Sequence, residues 1–196
     1  MRTIRGIPRH LLCVVLLSVN AWGDPAELAQ AALERTAHPV VYDGSYRSID
    51  YPNGDVPAHV GVCSDVVVRA YRAIGVDLQQ RVHEDMSASF DAYPNRWGLS
   101  RPDTNIDHRR VPNLETFFAR HGRSLPMDRL ARDHRPGDVV SWRLGNGLPH
   151  IGIVGPNRVP GSARYYVVHN IGAGPVEADV LLAYRPYGHY RYLPSR

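Results

Sequence analysis

The chain holds two cysteines, Cys13 and Cys63, and the first lies inside an N-terminal segment that reads as an export signal. With that segment removed a single thiol is left, no internal disulfide can form, and about 170 residues must hold their fold by packing alone. An unpaired thiol is a liability in a compartment that oxidises thiols unless its chemistry is used. Cys63 is therefore the residue to explain. It stands in Gly61-Val62-Cys63-Ser64-Asp65, at the predicted first turn of a helix, where backbone N–H groups and the helix dipole favour thiolate over thiol. It reads as a nucleophile or as a small buried hydrophobe, since free cysteines are among the residues most often found inside.

Residues 1–23 carry Arg2, Arg5 and Arg9 with no acid, an apolar run at 11–19, and Ala21-Trp22-Gly23 ahead of Asp24-Pro25. This is the pattern of a secretory signal peptide cleaved after Gly23, and the apolar run is too short to span a membrane. An uncleaved anchor is the competing reading. The expectation is an exported protein, periplasmic or secreted, with a single domain over 24–196 and no stable membrane insertion after cleavage. Three of the +4 formal charges belong to the leader arginines, so the remainder is nearly neutral. With no basic run, it lacks the electrostatic footprint of a nucleic-acid or anionic-membrane binder. Every Lys+Arg position is arginine, the residue suited to bidentate carboxylate recognition.

Asp24-Pro25-Ala26-Glu27 followed by Leu28, Ala31 and Ala32 reads as an N-cap, a first-position proline, a capping-box acid and an apolar stripe. A first helix is predicted to about Thr36. Gly44, Pro52, Gly54 and Pro57 make 42–60 extended or looping. Val66, Val67, Ala70 and Ile74 keep helical spacing before a capping Gly75; helix is predicted there despite the strand preference of Val66-Val67-Val68. Leu78, Val82, Met86 and Phe90 predict a helix stopped by Pro94. Residues 96–112 read as a polar loop bordering a site, and a helix near 113–121 is closed by Gly122. Beyond Pro136-Gly137, short strands are predicted at 138–142, 149–154, 165–169, 180–184 and 188–192, with Asn146-Gly147 marking a hairpin. Helices first and antiparallel strands second is an α+β pattern in one domain, without repeats or low-complexity tracts.

A thiol nucleophile needs a base that also returns a proton to the leaving amine, and imidazole titrates in the useful range. His150 and His169 lie on adjacent predicted strands, where the two-residue period can put both rings on one face. Gly152 falls on the same face as His150, leaving room for a substrate or for the cysteine helix. Cys63, His150 and His169 can thus be written as nucleophile, base and orienting group, with Asn170 as the other candidate for the third role. His59 reads as a loop histidine.

Pro136-Gly137-Asp138-Val139-Val140, then Pro149-His150-Ile151-Gly152-Ile153-Val154, then Val167-Val168-His169, with a Cys-Ser helix start upstream, resembles the NlpC-type branch of papain-like cysteine peptidases, which cut bacterial cell-wall peptides. Order and spacing match over roughly residues 40–172. His83-Glu84-Asp85-Met86, Asn105-Ile106-Asp107-His108-Arg109-Arg110-Val111-Pro112-Asn113-Leu114 and His169-Asn170-Ile171-Gly172-Ala173-Gly174 resemble the exported YijF-like family, which carries no activity to transfer. The NlpC-type resemblance implies an α+β, papain-like fold: N-terminal helices packed on a small antiparallel half-barrel sheet, with Cys63 on a helix and His150 and His169 on the sheet. Two departures stand out. Val62 and Asp65 occupy places where that pattern usually has an aspartate, associated with gripping the substrate's free amine, and a glycine; and the loop 155–164 is longer than the usual link.

The resemblance also points to Tyr42, where the NlpC-type pattern often has a tyrosine near the oxyanion site; Tyr46 and Tyr51 compete for that place, and plain packing is the other reading. Asp65, Asp107, His108 and Arg109 are the polar candidates for substrate contact. Together with Arg110, the cluster 107–110 either grips carboxylates of a cell-wall peptide or is a solvated loop with local salt bridges. The leading function is an extracytoplasmic cysteine amidase or endopeptidase that cleaves peptidoglycan stem peptides or another peptide substrate, with no cofactor and no metal. The alternative is a non-catalytic cell-wall binder or metal-binding module on the same fold, although no His-x-His or Cys-x-x-Cys spacing supplies a ligand set. Nothing in the sequence sets the scissile bond or the oligomeric state.

Overall fold

Capping chemistry starts the helices where the sequence places them. In the computed structural model, which describes residues 23–126 and 133–194, the Asp24 carboxylate accepts the Ala26 N–H at 2.9 Å and α1 runs over Pro25–Glu34. A 3-10 turn at Arg35–Ala37 extends it. The leader reading for 1–23 lies, apart from Gly23, outside the described residues. Helix α2 spans Cys63–Ala73, and Gly75 follows at φ 83°, a conformation that favours glycine. Val66, Val67, Val68, Ala70 and Tyr71 are all buried, so packing on several sides overrides the strand preference of the valine run. Asp77 caps α3, Leu78–Ala88, by accepting the Gln79 N–H at 2.9 Å. That helix ends before Phe90 rather than at Pro94: Ser89 leaves helical geometry, Phe90–Ala92 forms a 3-10 turn, and the Tyr93 hydroxyl folds back onto Asp85 at 2.6 Å. Helix α4 covers Val111–His121, with Gly122 as its C-cap.

Strands β1, Val41–Tyr42, and β2, Val60–Gly61, pair in parallel within the stretch read only as extended or looping. The main sheet comprises β3 (Arg123–Ser124), β4 (Val139–Arg143), β5 (Pro149–Arg158), β6 (Tyr165–Asn170), β7 (Pro175–Ala178) and β8 (Arg185–Arg191). Its order is β3-β8-β4-β5-β6-β7, antiparallel throughout. The predicted strand at 180–184 is instead a turn, closed by the Ala183 N–H on the Val180 carbonyl. Its Leu181 is buried and its Leu181 carbonyl accepts the Trp142 indole N–H at 3.2 Å, so the apolar run plugs the far face of the sheet rather than pairing. The edge belongs to β7, where a strand-opening Pro175 is tolerated. The loop expected at 155–164 is partly strand as well, because β5 continues to Arg158 through a register shift.

Apolar side chains line both faces of the sheet. Leu28, Val67, Tyr71, Leu78, Leu114 and Phe118 of the helices meet Val139, Ile151, Ile153 and Val168 on one side. Val140, Trp142, Val154, Val167 and Leu181 form a smaller cluster on the other. Helices α1 and α2 both pack on β5, which brings the N-terminal turn of α2 to the centre of the sheet.

Candidate active site

Cys63 is the first residue of α2, and three neighbouring contacts fix that turn. The Asp65 carboxylate accepts the Val62 N–H at 2.6 Å, which satisfies an orphan donor at the helix start although Val62 itself has no capping side chain. The same carboxylate receives Arg109 through two hydrogen bonds of 2.8 and 2.9 Å. The Ser64 hydroxyl donates to the Arg109 carbonyl at 2.6 Å. A bidentate ion pair this buried leaves Asp65 and Arg109 little capacity for a substrate. Asp107, His108 and Arg109 form a buried 3-10 turn, neither a solvated loop nor an open grip. Asp107 accepts from Arg110 at 2.9 Å, and burial pushes its carboxyl up; burial pushes the His108 imidazole down to about 4. The cluster braces the Cys63 turn from behind.

The sulfur of Cys63 lies near the backbone N–H groups of Ile151 and Ser64 and the Tyr42 hydroxyl, which offset part of the cost of burying it. The residue is only 4% exposed, and burial pushes its thiol up to about 11. The thiolate expected from the helix start is therefore not the resting form, because desolvation outweighs the hydrogen bonds and the dipole. Tyr42 is raised to about 12, by burial first and then by Cys63. Tyr46 donates to Asp103 at 3.1 Å and Tyr51 sits edge-on to His83, so of the three tyrosines Tyr42 is the one beside the sulfur.

His150 and His169 meet in the sheet. Nε2 of His150 is 3.0 Å from Nδ1 of His169, and both rings are buried. Trp142 stacks on His150 at 5.7 Å and Tyr184 meets it edge-on at 6.1 Å. Burial lowers both histidines, His150 to about 4 with a further push from His169. Both are neutral near pH 7. With the shared proton on His150 Nε2, the lone pair of His150 sits on Nδ1 and His169 carries its proton on Nε2. Asn170 does not take the third position; its side-chain oxygen accepts the Gly172 N–H at 3.0 Å. The space beside Gly152 is taken by β6, not by a substrate or by α2: a Cβ there would stand 2.8 Å from the Val168 carbonyl and 3.1 Å from the His169 Cβ. His59 is exposed.

Strand β5 connects the two halves along the chain, since Ile151, its amide near the sulfur, directly follows His150; among the described residues no hydrogen bond joins Cys63 to either ring, and His150 stacks on Trp142 of the cluster on the far face of the sheet. Sequence reasoning missed that amide, which no side-chain pattern reveals. It also missed Trp142 and Tyr184, which wall the His150 ring. Along the length of α2 runs a cleft of about 360 Å³, bordered by Val62, Asp65, Arg69, Arg72 and Asn170. Among the described residues, no three His, Cys, Asp or Glu side chains gather to hold a metal ion, and no helix is long and apolar enough to cross a membrane.

Residues 29–192 match the family described as Domain of unknown function (DUF1287). The chain belongs to the DUF1287 family. It is 53% identical over 168 residues to the Uncharacterized protein YijF of Escherichia coli (strain K12), covering 84% of this chain and 80% of that protein. Among solved structures it is similar to NlpC1 from Trichomonas vaginalis, with a TM-score of 0.48 and 16% identity over 87% of this chain and 44% of that one. The DUF1287 match takes in Tyr42, Cys63, His150 and His169.

Proposed function

We propose that this DUF1287 protein is a cysteine amidase or endopeptidase that works outside the cytoplasm on peptide amides of the cell-wall stem type. Cys63 is the nucleophile, His150 the base and His169 the group that orients it. One observation supports the reading: the buried His150 and His169 rings meet at 3.0 Å across β5 and β6, and the residue after His150, Ile151, lies near the Cys63 sulfur. The fold is then papain-like, a nucleophile-bearing helix on an antiparallel sheet that carries the base, as the NlpC-type resemblance implied. The leader pattern at 1–23 supports export to the periplasm or beyond.

The chemistry starts from a neutral pair. As Sγ attacks the amide carbonyl carbon, Nδ1 of His150 takes the thiol proton, and the imidazolium so formed donates through Nε2 to Nδ1 of His169. Charge on the carbonyl oxygen is met by the Tyr42 hydroxyl and by the Ser64 N–H in the first turn of α2. His150 returns the proton to the departing amine. Water then attacks the thioester, His150 accepts its proton, and the thiol is restored.

Cys63→Ala and His150→Ala should each lower product release from purified sacculi or defined muropeptides by about a thousandfold or more, and His169→Ala by about a hundredfold or more. Release that is unchanged in Cys63→Ala would refute the assignment.

A further inference from the structure

The cleft beside α2 is lined with donors that have no acceptor. The Asn170 side chain is fully buried, and its Nδ2 has no hydrogen-bond partner although its oxygen is satisfied. Nε of Arg72 and Nε of Arg35 are likewise buried without a partner, and all three residues border the same cleft. Burying a donor without a partner is costly, so three around one space point to acceptor groups that belong there.

Charge agrees with the donor count. The two acids that border the cleft are occupied: Asp55 by Arg69 and Arg72 at 2.9 Å each, and Asp65 by Arg109. Among the described residues Arg35 has no acidic partner, so the cleft keeps a net positive charge. Val62, which also lines the cleft, adds no negative charge. The cleft is close to the nucleophile in chain terms, since Gly61, Val62 and Asp65 flank Cys63 and line it.

We propose that this cleft binds a carboxylate of the peptide substrate, with Arg35, Arg72 and Asn170 as its donors. The inference rests on the amidase reading, because it names a substrate feature for that same site: an acidic residue next to the amide presented to Cys63. Guanidinium and carboxamide donors together suit the two oxygens of a carboxylate, whereas an ammonium group would face only other donors.

The test measures binding apart from cleavage. Cys63→Ala protein is titrated calorimetrically with the stem tripeptide alanyl-γ-glutamyl-diaminopimelate and with the same tripeptide carrying carboxamides in place of its carboxylates. The free acid should bind at least tenfold more tightly, and Arg35→Met or Asn170→Leu should shrink that preference while leaving the affinity for the amide form unchanged. Equal binding of both forms, no binding of either, or a preference that survives both substitutions would overturn the carboxylate site. Hydrolysis of both forms by the wild-type protein with equal KM would also remove the site but keep the amidase. A preference for the free acid without hydrolysis by the wild-type protein would keep the site and remove the amidase.

Discussion

A cysteine at a helix start is pulled two ways. The dipole and local N–H groups stabilise thiolate, and burial destabilises it; here burial wins, with the thiol near 11 and His150 near 4. At pH 7 about one thiol in ten thousand is ionised, so the resting site holds thiol and imidazole, not an ion pair. Alkylation of the free enzyme by iodoacetamide should therefore rise about tenfold per pH unit from pH 7 to 10 and level off near 11, with the same slope in His150→Ala. A plateau already reached at neutral pH would mean an ion pair and contradict this. For catalysis the sign runs the other way at low pH: His150 acts as a base only when neutral, so the acid limb of kcat/KM should fall near 4 rather than at the ordinary 6.5. The meeting of His150 and His169 was legible in the sequence, because strand spacing puts both rings on one face. Their protonation was not, because it depends on how deeply neighbours from distant segments bury them.

At the scale of elements, what could be read were features with local causes. Asp24 caps α1 at the site its side chain dictates, and Asn146-Gly147 turns the β4–β5 hairpin with Gly147 at φ 81°. The segment 180–184 was misread because its apolar residues look the same whether they pair in a sheet or cover one. Only the Trp142 side chain beneath them decides, through its bond to the Leu181 carbonyl. The cluster 107–109 was ambiguous for a similar reason, since its burial is set by the Asp65–Arg109 pair, 44 residues apart in the chain. Gly152 shows how one position links packing to the site. A methyl group there would meet the Val168 carbonyl, Val167 Cγ1 and His169 Cβ, all at 3.1 Å or less, and a carbonyl held in a strand pair cannot swing aside. Gly152→Ala should push β6 away from β5, cost about 1–3 kcal/mol of stability, and separate His169 from His150. Urea unfolding and kcat measured together check this; a variant with full stability and full kcat would show that β6 yields freely.

Across the whole molecule, the burial that sets the site also sets how the fold responds to acid. His108, His150 and His169 are each buried and lowered, the first two to about 4. In the unfolded chain each returns to about 6.5. Between these values the unfolded state binds more protons than the folded one, so stability is complete above pH 6.5 and falls as pH drops towards 4. Each fully engaged histidine removes about 1.4 kcal/mol per pH unit. Carboxylates act in a lower window: Asp138 and Asp85 are held below their ordinary value and lose their contribution only as pH falls through that range. Asp107, raised by burial, has the opposite sign, because its folded form takes up a proton first. The loss between pH 6.5 and 5 therefore belongs to the histidines. Urea unfolding at pH 7.5, 6.0 and 5.0 should show a slope approaching two or more protons by pH 5. His108→Gln lies outside the His150–His169 contact and should reduce that slope by about one proton while leaving the acid limb of kcat/KM in place. A stability flat from pH 7.5 to 5 would mean that these rings take up protons in the folded state, and the neutral-pair chemistry proposed for Cys63 and His150 would fail with it.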